Sequence, residues 1–126
     1  MARAFVDTSF LLSLALGQHA GRAARFRIES FDTVFASRFL EAEYLCAFRR
    51  ESVNPVRDLL RTIEWVDSTV SLATEIFRVL DAGYLRGADC WHLATALSIA
   101  PDPTEWTFLT LDTRQSDVAQ ALGFQV

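Results

Sequence analysis

A chain of 126 residues, 51% of them apolar and 22% charged, has the make-up of one globular domain with a core of its own. Its net charge of −4 carries no basic footprint for nucleic acid, and no apolar run nears the ~18 to 20 residues that span a bilayer. All twelve basic residues are arginine. Without a lysine there is no P-loop, no Schiff base and no lysine clamp on an acyl or aspartyl phosphate.

Taken in chain order, Arg3-Ala4-Phe5-Val6 reads as a buried strand, and residues 10–16 continue as an apolar helix with Gly17 near its end. The start, MARAFVDTSFLLSLALG, has the arginine and apolar run of a secretion signal. Asp7 interrupts that run and no small-residue cleavage site follows, so a cytoplasmic protein is expected. Residues 21–30 form a second helical stretch, and Thr33-Val34-Phe35-Ala36 a second buried strand. A helix over 38–51 precedes Asn54-Pro55, which starts another running to about Thr62. Residues 64–66 read as a short edge strand, and residues 69–82 as an amphipathic helix closed by Gly83. The helix at 88–100 stops before the loop Pro101-Asp102-Pro103. A strand over 106–111, a helix over 113–122 closed by Gly123, and a last strand at 124–126 complete the chain. Cys46 and Cys90, too few for a disulfide scaffold, fall in apparent helices and are expected to be small buried hydrophobes of a reducing cytosol.

Strands alternating with helices imply an α/β fold with a parallel sheet covered on both faces. Such sheets bind ligands beyond the carboxyl ends of their strands, where Asp7 and Asp112 both stand. Each has a structural explanation as a helix N-cap, Asp112 doubly so because Gln115 follows at capping-box spacing. Asp89, in the first turn of its helix, would favour the helix dipole. Glu43 is different. At ~100° per residue it projects between Phe39, Cys46 and Ala47, on the apolar arc of its helix. A carboxylate directed inward needs a partner. An ion pair with Arg50 is one, and a divalent cation shared with other carboxylates is another.

If these four acids meet, a hard cation of the Mg²⁺ or Mn²⁺ kind would reconcile their charges, and the cluster would suit metal-assisted phosphodiester hydrolysis. The hydroxyls of Ser9 and Thr110, close in sequence to Asp7 and Asp112, are placed to orient those carboxylates, although capping and strand packing also occupy such residues. His92 falls on the helical face of Asp89, three residues on. With His19 the only other histidine, a core or hydrogen-bonded role suits it better than metal ligation. Trp91, Trp106 and Trp65 are candidates for stacking on bases, with core packing as the ordinary use of Trp106 and Trp65. Arg38, Arg86 and Arg114 lie beside the acidic segments, and Arg114 is the best placed to grip a phosphate.

The segments FVDTSFLL around Asp7, ASRFLEAEYLCAF around Glu43, GADCWHLATAL around Asp89 and FLTLDTRQ around Asp112, with the closing GFQV strand, resemble those of PIN-domain ribonucleases. In size and layout the chain is similar to the VapC-type toxins of bacterial toxin–antitoxin pairs. The resemblance covers nearly the whole chain and implies a single PIN-like domain over 1–126, with a five-stranded parallel sheet flanked by helices. It further implies Mg²⁺-dependent cleavage of RNA, a homodimer, and inhibition by a cognate antitoxin protein whose tail enters the acidic groove. Carried over by position, Asp7, Asp89 and Asp112 are the expected metal ligands. Glu43 is the acid expected to orient the attacking water or complete a second metal site. Asp117, also near the last strand, is expected on a helix surface. Two rival readings stand beside this one: a non-catalytic PIN-like scaffold binding protein or RNA, and a receiver-like phospho-acceptor. The latter wants a lysine and paired acids after its first strand, and here Asp7 stands alone.

Overall fold

The computed structural model describes residues 1–17 and 21–126; His19 lies outside them. The strands β1 (Arg3–Val6), β2 (Thr33–Ser37), β3 (Ile63–Val66) and β4 (Trp106–Leu109) alternate with helices. Helix α1 (Thr8–Ala15) and α2 (Gly21–Ile28) connect the first two strands, and α3 (Phe39–Arg50) and α4 (Asp58–Arg61) lead to the third. After it come α5 (Ala73–Ala82), α6 (Gly87–Ile99) and a 3-10 turn (Pro103–Glu105), with α7 (Thr113–Ala121) following β4.

All strand pairings are parallel, in the order β3-β2-β1-β4. A parallel sheet needs helices on both faces, and its strands are therefore apolar on both. Phe5 and Phe108 stack on one face with ring centroids 5.8 Å apart. They join Leu93, Ala94, Val118 and Phe124 in one buried cluster. Ala4, Val6 and Leu109 point to the opposite face, where Leu11, Leu40 and Tyr44 meet them in a second. Each large side chain buried this way contributes about 1.5 to 3 kcal/mol. The two layers hold the carboxyl end of the sheet as a rigid rim. No helix among the described residues is long and apolar enough to cross a membrane.

Several expectations need correction. The sheet has four strands, not five, because a ladder requires consecutive pairs and residue 125 makes only an isolated parallel bridge to Thr107. Its backbone does pair, with Phe108 N donating to Gln125 O at 2.8 Å and Gln125 N to Trp106 O at 3.0 Å. Phe124 beside it turns into the core instead of extending the edge. The helix expected from Asn54 is confined to Asp58–Arg61, and the Tyr44 hydroxyl donates to Val56 O at 2.6 Å, tying the non-helical lead-in to α3. Strand β4 stops at Leu109, since Thr110 turns its hydroxyl onto the backbone N–H of Asp112. Cys46 is exposed, and Cys90 is buried as expected.

Candidate active site

The strand order reverses around β1: the chain runs outward through β2 and β3, then returns to lay β4 on the other side of β1. The crevice at such a reversal, beyond the carboxyl ends, is where α/β sheets place ligands. Asp7 follows β1 directly, and Asp112 caps the helix after β4. Asp89 sits in the first turn of α6, and Glu43 lies within α3.

Asp7 is 2% exposed and extended in backbone, which lets it cap α1. Its Oδ1 accepts from the Ser9 hydroxyl at 2.8 Å and from Phe10 N at 3.1 Å. Among the described residues its Oδ2 accepts only from the Thr110 hydroxyl. Burial pushes this carboxyl above its ordinary value, opposed by the hydrogen bonds from Thr110, Phe10 and Ser9 and by His92. Ser9 and Thr110 both do more than touch Asp7. Leu111 N donates to Ser9 Oγ at 3.0 Å and Asp112 N to Thr110 Oγ1 at 3.0 Å, so the two hydroxyls tie the β1 end to the β4 end.

Glu43 is part-buried and its oxygens are unequal. Thr8 Oγ1 donates to Oε1 at 2.7 Å, and His92 Nε2 meets the same oxygen at 2.7 Å. A carboxylate only accepts, so Nε2 carries the hydrogen. On the other side of the ring, Nδ1 lies 2.8 Å from Ser37 Oγ. Burial pushes the Glu43 carboxyl up, and the bonds from His92 and Thr8 together with the His92 charge more than offset it, leaving the group below its ordinary value. The alternative ion pair does not form: Arg50 lies 3.5 Å from Glu51.

Asp89 and Asp112 line one cleft of about 400 Å³, walled by Tyr84, Leu85, Arg86 and Arg114. Burial pushes the Asp89 carboxyl up, the negative charges of Asp112 and Glu43 push it further, and His92 and Arg86 act the other way. Asp112 caps α7 through Gln115 N at 2.9 Å. The reciprocal half of a capping box is absent, because the Gln115 amide reaches across to Asp89 O at 3.1 Å and bridges the two acidic segments. Arg114 donates from Nε to Tyr84 O at 2.8 Å, with its guanidinium 5.7 Å from the Tyr84 ring centre. Asp117 is exposed on α7.

The four acids thus occupy one rim, Asp89 and Asp112 in the cleft, Glu43 joined to it electrostatically, and Asp7 behind, linked through Ser9 and Thr110. Among the described residues no three Asp, Glu, His or Cys side chains are grouped closely enough to hold an ion as they lie. The chemistry of the set nonetheless fits a hard divalent cation. Every donor is a carboxylate oxygen. Asp7 and Glu43 each have one oxygen pinned by two donors and the other less engaged. The excess negative charge felt by Asp89 is what a cation would relieve. Asp112 is exposed and Asp89 only half-buried, so both carboxylates have room to turn.

His92, expected in a core or hydrogen-bonded role, is 1% exposed and bonded to Ser37 and Glu43; its partners Thr8 and Ser37 escape a reading by motif. Only the three-residue spacing from Asp89 signals His92, and nothing local signals that Thr8, at the start of α1, and Ser37, at the end of β2, converge beside it. The fold defines a class, the open parallel α/β domains that bind ligands at such a switch point. Within it, the PIN domain model matches residues 4–121, and the chain belongs to the PIN domain family. No curated protein matches the chain.

Proposed function

We propose that the chain is a Mg²⁺-dependent endoribonuclease, with Mn²⁺ able to substitute, in which residues 1–126 form a single nuclease domain. Family membership supports nuclease chemistry in general. The observation that carries the finer reading is the unequal treatment of carboxylate oxygens at the rim. One oxygen of Glu43 and one of Asp7 are held by paired donors, so that the other is presented in a fixed direction.

In this reading Asp7, Asp89 and Asp112 would hold the ion, with Glu43 beside them. Bound there, such an ion would lower the pKa of a water and offset charge on the leaving oxygen. Glu43, locked by His92 and Thr8 through Oε1, offers its remaining oxygen to the attacking water and keeps that water aimed at phosphorus. Ser9 and Thr110 fix Asp7 against rotation. Arg114, and Arg86 across the cleft, meet the negative charge of the phosphate. The water's oxygen would bond to phosphorus as the bond to the 3′-oxygen breaks; Glu43 would take the water's proton, solvent would supply one to the 3′-oxygen, and the products would be a 3′-hydroxyl and a 5′-phosphate.

The similarity in size and layout to VapC-type toxins supports a further assignment, to the toxin of a toxin–antitoxin pair: a cytoplasmic homodimer silenced by a cognate antitoxin protein. Expression in a bacterial host should then arrest growth, and co-expression of a small neighbouring gene should restore it. One observation favours a second reading, a non-catalytic RNA- or protein-binding scaffold: no three of the acids stand together as they lie. Incubating purified protein with single-stranded RNA and Mg²⁺ separates the two, since the scaffold leaves the RNA intact.

A further inference from the structure

Helix α6 divides two unlike surfaces with its first turn. Arg86 and Asp89 face the acidic cleft, while Gly87 and Ala88 line a separate recess of about 250 Å³ closed by Phe39 and Trp91. Its walls are two aromatic rings and the smallest side chains. Phe39 is 47% exposed, although its ring lies at the protein end only 6.2 Å from the ring of His92, the partner of Glu43. A Cβ built on Gly87 meets nothing within 4 Å, so the floor of the recess is open space. Phe26 and Phe77 are more exposed than Phe39; what sets Phe39 apart is its place beside the acidic rim.

From this arrangement we propose that Phe39 and Trp91 form a subsite for one unstacked nucleobase of single-stranded RNA, next to the phosphate held in the acidic cleft. The inference rests on the ribonuclease reading and names how that substrate is gripped. Its occupant follows from what adjoins the slot. On one side stands the cleft, with Arg86 and Arg114 among its walls. On the other, the surface continues into a groove of about 540 Å³ in which Arg38 is paired with Glu41 at 3.5 Å and Asp67 at 3.6 Å, so the cations free to meet phosphate are those of the cleft. An aromatic slot beside a cleft that carries two arginines matches one base next to its own phosphate along a strand. Every base has a π-face, so such a slot grips RNA with little demand on sequence.

The test uses the full chain carrying Asp112→Asn, so that bound RNA stays intact, and a short fluorescein-labelled single-stranded oligoribonucleotide followed by anisotropy. Phe39→Leu keeps the apolar volume and removes the π-face; Gly87→Leu fills the recess from its open floor. Each is expected to weaken binding by about 5- to 150-fold, the range for losing one base–aromatic stack, with thermal unfolding unchanged for Phe39→Leu. An oligonucleotide series with one abasic position should lose the same factor at a single position, and lose nothing more on Phe39→Leu. Equal binding by Phe39→Leu and its parent, or no sensitive abasic position, overturns the proposal, and the apolar slot would then be left for a protein side chain. Cleavage by the wild-type chain reports separately on the ribonuclease reading. Wild-type cleavage with indifferent Phe39→Leu sinks only the subsite. Phe39-dependent binding without any cleavage sinks only the nuclease. No RNA binding at all sinks both.

Discussion

Thr110 and Asp7, 103 positions apart, share one hydrogen bond, in which the Thr110 hydroxyl donates to Asp7 Oδ2 at 2.5 Å. The same Thr110 oxygen accepts from Asp112 N. One side chain therefore sets the rotamer of the buried acid and the start of α7, where the exposed acid sits. Thr110→Val keeps the shape and deletes both functions. Left unpaired, the groups it served should lower stability by about 1 to 3 kcal/mol in urea unfolding. Loss of such an orienting partner typically weakens metal affinity or activity by about 10- to 100-fold. A Thr110→Val variant with unchanged Mg²⁺ titration would show that the hydroxyl serves only the helix cap.

Asp7 separates function from stability most cleanly. Burial raises its carboxyl above the ordinary value of 3.8, so the folded chain holds that proton more tightly than the unfolded one. The stability the group lends is complete below the unfolded value and is lost as pH rises through the folded one. Near neutral pH its ionised form opposes folding. Asp7→Asn keeps an acceptor for Ser9 and Phe10, removes the charge, and turns an amide N–H towards the Thr110 oxygen, so that this contact is kept with the donor reversed. Its melting temperature at pH 7 should equal or exceed that of the wild type, while RNA cleavage disappears. A drop of several degrees would mean that the carboxylate was retained for capping alone.

His92→Phe tests the aiming of Glu43. The ring fits a site that is 1% exposed, but Ser37 and Glu43 each lose a partner, at about 1 to 3 kcal/mol. The Glu43 carboxyl should rise towards its ordinary value of 4.5, since the bond and charge from His92 help hold it down. Cleavage should fall in kcat more than it changes KM. An unchanged kcat would leave the Glu43–His92 contact as packing.

Much of the layout was legible in residue order, because short apolar runs between amphipathic stretches permit little besides a parallel α/β sheet. The acids after β1 and β4 were legible for the same reason: strand ends in such sheets face ligands. What could not be read locally was pairing between distant elements. The Ser37–His92–Glu43–Thr8 chain joins one strand end and three helices, and no spacing in any one segment announces it. Glu43 was expected on an apolar arc, yet Phe39 and Cys46, its neighbours in projection, are exposed; helical phase locates a face but does not say what covers it. The fifth strand failed similarly, as GFQV has strand-like residues but spends Phe124 on the core.

Binding of a cation by the native state alone should stabilise it by mass action, by about 2.7 kcal/mol at a hundredfold excess over Kd. Differential scanning fluorimetry with and without Mg²⁺ should show a rise of several degrees, reversed by chelator. Asp89→Asn should lose that rise. An identical rise in Asp89→Asn would place the ion elsewhere.

The most direct measurement is cleavage of a single-stranded RNA by purified protein in Mg²⁺, run beside Asp89→Asn and a chelator control. The account predicts 5′-phosphorylated fragments from the wild type and intact RNA in both controls. Equal cleavage by Asp89→Asn, or intact RNA with a folded wild-type chain, would contradict it.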